Sequence, residues 1–131
     1  MSQENVDWVG RGYEYFARTG EPYLDGVDPD VEVYDHDIPD ARNPYRGFDG
    51  IRRWLADFAE SWDHYELRIE RVLDGGDQVV ALLRINAVGA GSGVPVERGD
   101  GMVWTFGDGK VVRIDYFNDQ NLALRAAGLA E

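Results

Sequence analysis

The stretch from Asp30 to Asp37, DVEVYDHD, begins as an alternating strand and ends in carboxylates. Successive strand residues point to opposite faces, so Val31 and Val33 share a face with Asp35 and Asp37, while Glu32, Tyr34 and His36 take the other. A face that starts as core and ends in acids aims those acids into an apolar interior or toward its mouth. Burial disfavours the charged form of Asp35, and a second carboxylate two residues on acts in the same direction. A carboxylate tuned upward in this way suits a general base that takes a proton near neutral pH and returns it. Asp35 is therefore the candidate base, with Asp37 beside it.

Other chemistries fit these residue types less well. Strand alternation sends His36 away from Asp35 and Asp37, and the remaining histidine, His64, follows a separate helical segment, so no metal is expected. The chain has no cysteine, which removes thiolate nucleophiles, disulfides and cysteine-ligated zinc. Its serines, Ser2, Ser61 and Ser92, sit in no nucleophile elbow. The glycines of Gly89-Ala90-Gly91-Ser92-Gly93 join two strands and open no helix, so they are turn residues rather than a phosphate cradle, and no cofactor is expected.

The elements that must position Asp35 can be read from periodicity. Val6, Val9, Tyr13 and Phe16 recur at three- and four-residue steps between Gln3 and Arg18, a helical stripe stopped at Thr19 and Gly20. Glu21 to Asp30 reads as a short second helix or turn before the strand. A loop carrying Pro39, Pro44 and Gly47 follows, and then Asp49 is placed to cap a helix whose stripe is Ile51, Trp54, Leu55, Phe58, Ala59 and Trp62. The second half is a meander of strands: Tyr65 to Leu73, a turn at Asp74 to Asp77, Gln78 to Gly89, a strand ending at Phe106, a turn at Gly107 to Gly109, and Lys110 to Asn118. Asp119 is placed to cap a closing helix from Asn121 to Ala127.

With 131 residues, 44% of them hydrophobic, the chain suits one domain over residues 1–131 that folds without staples. The order of elements gives an α+β architecture, with helices packed in a curved antiparallel sheet that encloses a conical pocket open at one end. A net charge of −12 repels phosphate backbones and anionic lipid, so nucleic acid is not an expected partner. No apolar run approaches the roughly 20 residues of a membrane helix and the N-terminus lacks a signal-like segment, so the expectation is a cytoplasmic protein away from membranes.

Alternation also names a wall for the pocket. Met102, Trp104 and Phe106 share a face and offer an aromatic surface for a flat ligand. In the last strand Val112, Ile114, Tyr116 and Asn118 share the more apolar face, which points Tyr116 and Asn118 inward and Arg113 and Asp115 out to the surface.

Four phrases, GYEYFARTGE, DPDVEVYDHD, YRGFDGIRRWLADF and DGKVVRIDYFND, together resemble the SnoaL-like polyketide cyclase branch of the nuclear transport factor 2 superfamily, whose fold is a cystatin-like cone. In the steroid isomerases of that superfamily an Asp base closes the first strand and a Tyr on the first helix, seven residues before a Gly, donates to the substrate oxygen. The resemblance places these roles on Asp35 and on Tyr13, which precedes Gly20 by seven. A second donor, a protonated Asp, falls on Met102, where this chain departs from the pattern. The resemblance implies a small hydrophobic carbonyl compound as ligand, with isomerisation, cyclisation or dehydration started by Asp35. Its alternative is a module of the same fold that only binds or dimerises. Water-driven epoxide opening, known in another branch, needs an Asp, Arg, Asp relay, and Arg84, the mid-strand arginine of the meander, points away from the core. Relatives of this fold commonly pair through the outer face of the sheet, which implies a homodimer through Val80, Leu82 and Val88 beside Arg84 and Asn86.

Overall fold

The computed structural model describes residues 2–37 and 44–129. Helix α1 spans Ser2–Thr19, strand β1 Val27–Asp35, β2 Tyr45–Arg46, helix α2 Gly47–Glu60, β3 Trp62–Asp74, β4 Gln78–Gly89, β5 Pro95–Gly107, β6 Lys110–Phe117 and helix α3 Gln120–Ala126. The strands form one curled, unclosed sheet in the order β2-β1-β6-β5-β4-β3. Pairing is antiparallel throughout except between β1 and β6, which run parallel. The chain leaves β1, passes through α2 and the whole meander, and returns beside β1 as β6. Parallel neighbours need such a crossover.

The concave face carries the main core. β1 contributes Val31 and Val33, β4 contributes Val79, Ala81, Leu83 and Ile85, and β6 contributes Val111 and Ile114, all buried. α2 lays Ile51, Trp54 and Phe58 into this face at three- and four-residue spacing, as its stripe requires. α1 adds Val9, with Val6, Trp8 and Tyr13 packed at the margin.

The convex face has a second, smaller core. Val80, Leu82 and Val103 are covered by Ala123 of α3, and Asp119 caps that helix by accepting from the backbone N–H groups of Asn121 and Leu122. The helix lies close to β5 because Gly101 leaves room for it. A Cβ built there would stand 2.5 Å from the Ala123 Cβ. Val80 and Leu82 are therefore occupied within the chain, and the face expected to pair two copies retains only Arg84, Asn86 and Val88 of that set.

Of the two forms open to the stretch after α1, a helix or a turn, it takes the turn, at Asp25 and a left-handed Gly26 (φ 95°), pinned by the Trp8 indole, which donates through Nε1 to the Asp25 carbonyl at 2.7 Å. Two local expectations are corrected. Asp49 does not cap α2. The helix starts earlier, at Gly47, behind Arg46, which makes no side-chain cap, and Asp49 sits in the first turn, 3.7 Å from Arg52. Part of the loop expected before α2 pairs as β2, while its residues 38–43 lie outside the described residues. The two turns of the meander are as expected. Between β5 and β6, Asp108 (φ 52°) and Gly109 (φ 79°) both take the left-handed conformation that a two-residue hairpin turn demands. Among the described residues no helix is long and apolar enough to cross a membrane.

Candidate active site

Between α1, α2 and the concave face lies a cavity of about 70 Å3, walled by Trp8, Tyr13, Trp54, Leu67, Met102 and Trp104 among others. Its lining is apolar with one hydroxyl of note. Tyr13 Oη accepts from Trp104 Nε1 at 3.2 Å and donates toward Met102 Sδ at 2.7 Å. A thioether is a weak acceptor, so an oxygen acceptor can compete with it for the phenol proton, while the indole N–H polarises the oxygen. Burial pushes the Tyr13 pKa well above its ordinary value, the indole hydrogen bond offsetting part of the rise. Tyr13 is thus a neutral donor across the physiological range.

The other half of the interior is charged and closely bonded. Asp35 is 1% exposed. Its Oδ2 accepts from Trp54 Nε1 at 2.6 Å and its Oδ1 from the Asp37 amide at 2.8 Å. Trp54 is also a wall of the cavity, so its indole links the carboxylate to the cavity lining.

Farther along, Arg98 forks onto Asp100, Nε to Oδ1 at 2.6 Å and Nη2 to Oδ2 at 3.0 Å, and reaches Asp37 Oδ2 at 3.1 Å. Asp100 is fully buried and also accepts from the Tyr116 hydroxyl. Desolvation alone would lower the Arg98 pKa, but the hydrogen bonds and charges of Asp100, with the charge of Asp37, outweigh it and hold the guanidinium protonated. Tyr116 is driven strongly upward, first by burial and then by the negative charge of Asp100. It too stays neutral.

The residues singled out from sequence are thus divided. Tyr13, Met102 and Trp104 meet at the cavity. Asp35 faces inward as its strand parity requires, behind Trp54. Tyr116 also faces inward, against Phe58 and Trp54, with its hydroxyl committed to Asp100. Asp37 lies past the end of β1 and is held by Arg98 and by Asn118 Nδ2 at 2.8 Å. Asn118 is exposed rather than inward, because β6 ends at Phe117. Phe106 is buried against Trp8, 6.0 Å between ring centroids, in the packing behind the cavity. Asp115, expected at the surface, is only 6% exposed. Arg113 forks onto it and His36 Nε2 lies 2.8 Å away, so the outward face of β1 and β6 covers it.

Three interior residues escaped the sequence reading. In the sequence Trp54 shows only as part of a helical stripe. Arg98 and Asp100 belong to the same alternation as Met102 and Trp104 and would follow from extending it backward along β5, but the flanking Gly99 and Gly101 weaken the strand signal there.

Comparison with known proteins agrees with the geometry. The SnoaL-like domain family matches residues 13–114, from the cavity phenol to the inward Ile114 of β6. No curated protein sequence matches the chain. Among solved structures, an NTF2-like protein of unknown function from Burkholderia pseudomallei is similar at 21% identity, covering 95% of this chain and 97% of that one with a TM-score of 0.76. TerC, co-crystallised with polyporic acid, is similar at 24% identity over 94% and 96% of the two chains, TM-score 0.74. A protein from Jannaschia sp. CCS1 named for the SnoaL-like polyketide cyclases is 25% identical over 82% of this chain and 76% of that one, TM-score 0.62. The chain belongs to the SnoaL-like domain family.

Proposed function

We propose that this SnoaL-like domain takes a small, hydrophobic, carbonyl-containing molecule into the aromatic cavity and moves protons on it, with Tyr13 as the oxygen's donor and Asp35 as the base. The observation that carries this reading is the Tyr13 hydroxyl, a buried neutral phenol whose proton has only a thioether to bond. A carbonyl oxygen is a far better acceptor than sulfur, so a ligand gains a full hydrogen bond and the protein gives up little. Asp35 reaches the ligand when the Trp54 indole swings off Oδ2. It then takes the proton α to the carbonyl, and the enolate oxygen is stabilised by Tyr13. Return of the Asp35 proton at another carbon completes an isomerisation; attack of the enolate carbon on a second carbonyl, with that proton passing to the new alkoxide, completes a cyclisation; and departure of a β-hydroxyl with that proton, as water, completes a dehydration. That a protein of this fold co-crystallises with polyporic acid supports a small-molecule ligand.

The test is exchange of α-protons in D2O, followed by proton NMR on a panel of flat hydrophobic ketones, with ligand binding measured in parallel by tryptophan fluorescence. Wild type is expected to accelerate exchange, and Asp35→Asn to lose about 10²- to 10⁴-fold of that rate while still binding. Binding with no exchange above buffer would leave a non-catalytic binding module.

A second reading is favoured by Arg98. Asp37, Arg98 and Asp100 form an ion-paired Asp, Arg, Asp chain, the residue order that water-driven epoxide opening calls for, whereas Arg84 turns outward to Glu70. In that reaction water attacks an epoxide carbon, one carboxylate takes the water proton and the other, protonated, gives its proton to the opening oxygen. Diol formation from styrene oxide that disappears in Asp37→Asn would establish it; absence of diol would remove it.

A further inference from the structure

The meander leaves one long strand unpaired on its outer side. β3 ends the sheet, and from His64 to Ile69 it keeps an unbroken register with β4, bounded by a register shift at either end. The backbone N–H and C=O groups that alternate along its outer edge have no ladder partner among the described residues. The opposite edge of the sheet offers nothing comparable, since β2 is only Tyr45–Arg46.

The side chains of this run stand in two rows. Tyr65, Leu67 and Ile69 point to the concave face and stay only partly buried, because no further strand flanks them. Glu66 and Arg68 point to the convex face, exposed, and neither makes an ion pair among the described residues. In an antiparallel ladder two opposite residues either turn their N–H and C=O groups toward each other or both turn them away. A second β3 can therefore pair along this edge only where opposite residue numbers are both odd or both even. Two such registers use most of the run. One sets Glu66 against Glu66 of the second copy, which repels. The other sets Glu66 against Arg68 of the second copy and Arg68 against its Glu66, with Leu67 against Leu67 on the axis and Tyr65 against Ile69, an aromatic ring on a β-branched side chain.

We infer that the outer edge of β3 binds a second copy of this chain, antiparallel and centred on Leu67, so that two sheets join edge to edge about a two-fold axis and each Glu66 meets Arg68 of the other copy. The assembly closes at two copies, because it uses the β3 edge of both and leaves only the short β2 at each outer end. It differs from face-to-face pairing through Val80 and Leu82, which α3 covers, and it does not depend on the chemistry of the cavity.

Sedimentation equilibrium of wild type, Glu66→Arg, Arg68→Glu and the double variant carrying both changes, from about 5 to 500 µM, measures the dimer Kd. Wild type is expected to dimerise within that range. Each single variant sets like charges opposite each other twice across the axis and is expected to raise Kd at least about tenfold, whereas the double variant restores both pairs and is expected to return to within about threefold of wild type. Glu66→Arg lowers the net negative charge and Arg68→Glu raises it, so a general charge effect would move the two single variants in opposite directions. Both side chains are exposed, and an unchanged circular dichroism spectrum checks that each variant keeps the fold. Wild type monomeric throughout, single variants that dimerise as well as wild type, or a double variant no better than the single ones would each overturn the inference.

Discussion

The two halves of the interior solve opposite problems. On the α1 side, Tyr13, Trp104 and Met102 surround free space, and the polar atoms there make weak bonds that a ligand can replace. On the α2 side, Asp35, Asp37, Arg98, Asp100 and Tyr116 fill their space with charge-assisted bonds, each carboxylate held by more than one donor. A buried charge is tolerable only with its bonds made, so the second half must be rigid, whereas the first gains by being exchangeable. Trp54 belongs to both, with its ring in the cavity wall and its N–H on Asp35. On the proposed reading, access from the cavity to Asp35 depends on how easily that one indole moves.

Removing a charge from the rigid half is expected to have the largest effect on stability. Arg98→Met leaves Asp100, fully buried, and Asp37 without their guanidinium. It should cost about 3–5 kcal/mol in urea denaturation. A loss under about 1 kcal/mol would mean that the network is loosely held and the contrast between the halves false.

The next effect lies outside both halves and serves as a reference for purely steric damage. Gly101→Ala places a methyl 2.5 Å from the Ala123 Cβ, so α3 must shift, at about 1–3 kcal/mol. Ligand binding in the cavity, on the opposite face of the sheet, should be unchanged; a large loss of binding would show that the faces are coupled.

Alkaline pH sharpens the comparison through the buried phenols. Tyr13, Tyr65 and Tyr116 all have pKa values raised by burial. Below about pH 10 neither the folded nor the unfolded chain ionises them. Above it the unfolded chain releases protons that the folded chain retains, so stability falls as pH rises. Tyr13→Phe removes one such group, and its stability should fall less, by up to about 1.4 kcal/mol at pH 11 relative to wild type. Equal slopes for the two would place Tyr13 in water.

The smallest effect is that of the same substitution at pH 7. Tyr13→Phe loses a bond to sulfur and leaves the Trp104 N–H without its acceptor, a cost of about 1 kcal/mol, several times less than Arg98→Met. Its effect on carbonyl-ligand affinity should exceed its effect on stability. The reverse order would make Tyr13 a structural residue.

Much of the frame was legible because it obeys local periods. Alternation through Val31 and Val33 placed Asp35 inward, the stripe of Ile51, Trp54 and Phe58 placed α2 against the sheet, and Asp119 marked the start of α3. What failed depends on contacts between distant segments. The bond from Trp54 to Asp35 exists because α2 docks over β1, which neither periodicity contains. Arg98 and Asp100 were hidden by Gly99 and Gly101, glycines that look like loop residues and in fact make room for α3. Asp115 reads as surface from its neighbours in sequence, and is covered by Arg113 and by His36, which follows β1. Around the cavity, Tyr13, Met102 and Trp104 were readable as neighbours; of the closely bonded half, Asp35, Asp37 and Tyr116 were readable and Arg98 and Asp100 were not.

The most direct test of the exchangeable cavity uses the fact that the chain has 2 methionines, so that methyl-labelled protein gives a two-peak spectrum. Titration with 2-hydroxyanthraquinone is expected to shift the Met102 methyl resonance saturably, as the Tyr13 proton leaves sulfur for the ligand. Saturable binding of that probe, seen by fluorescence, with the Met102 signal unmoved would contradict the account and place the ligand elsewhere on the molecule.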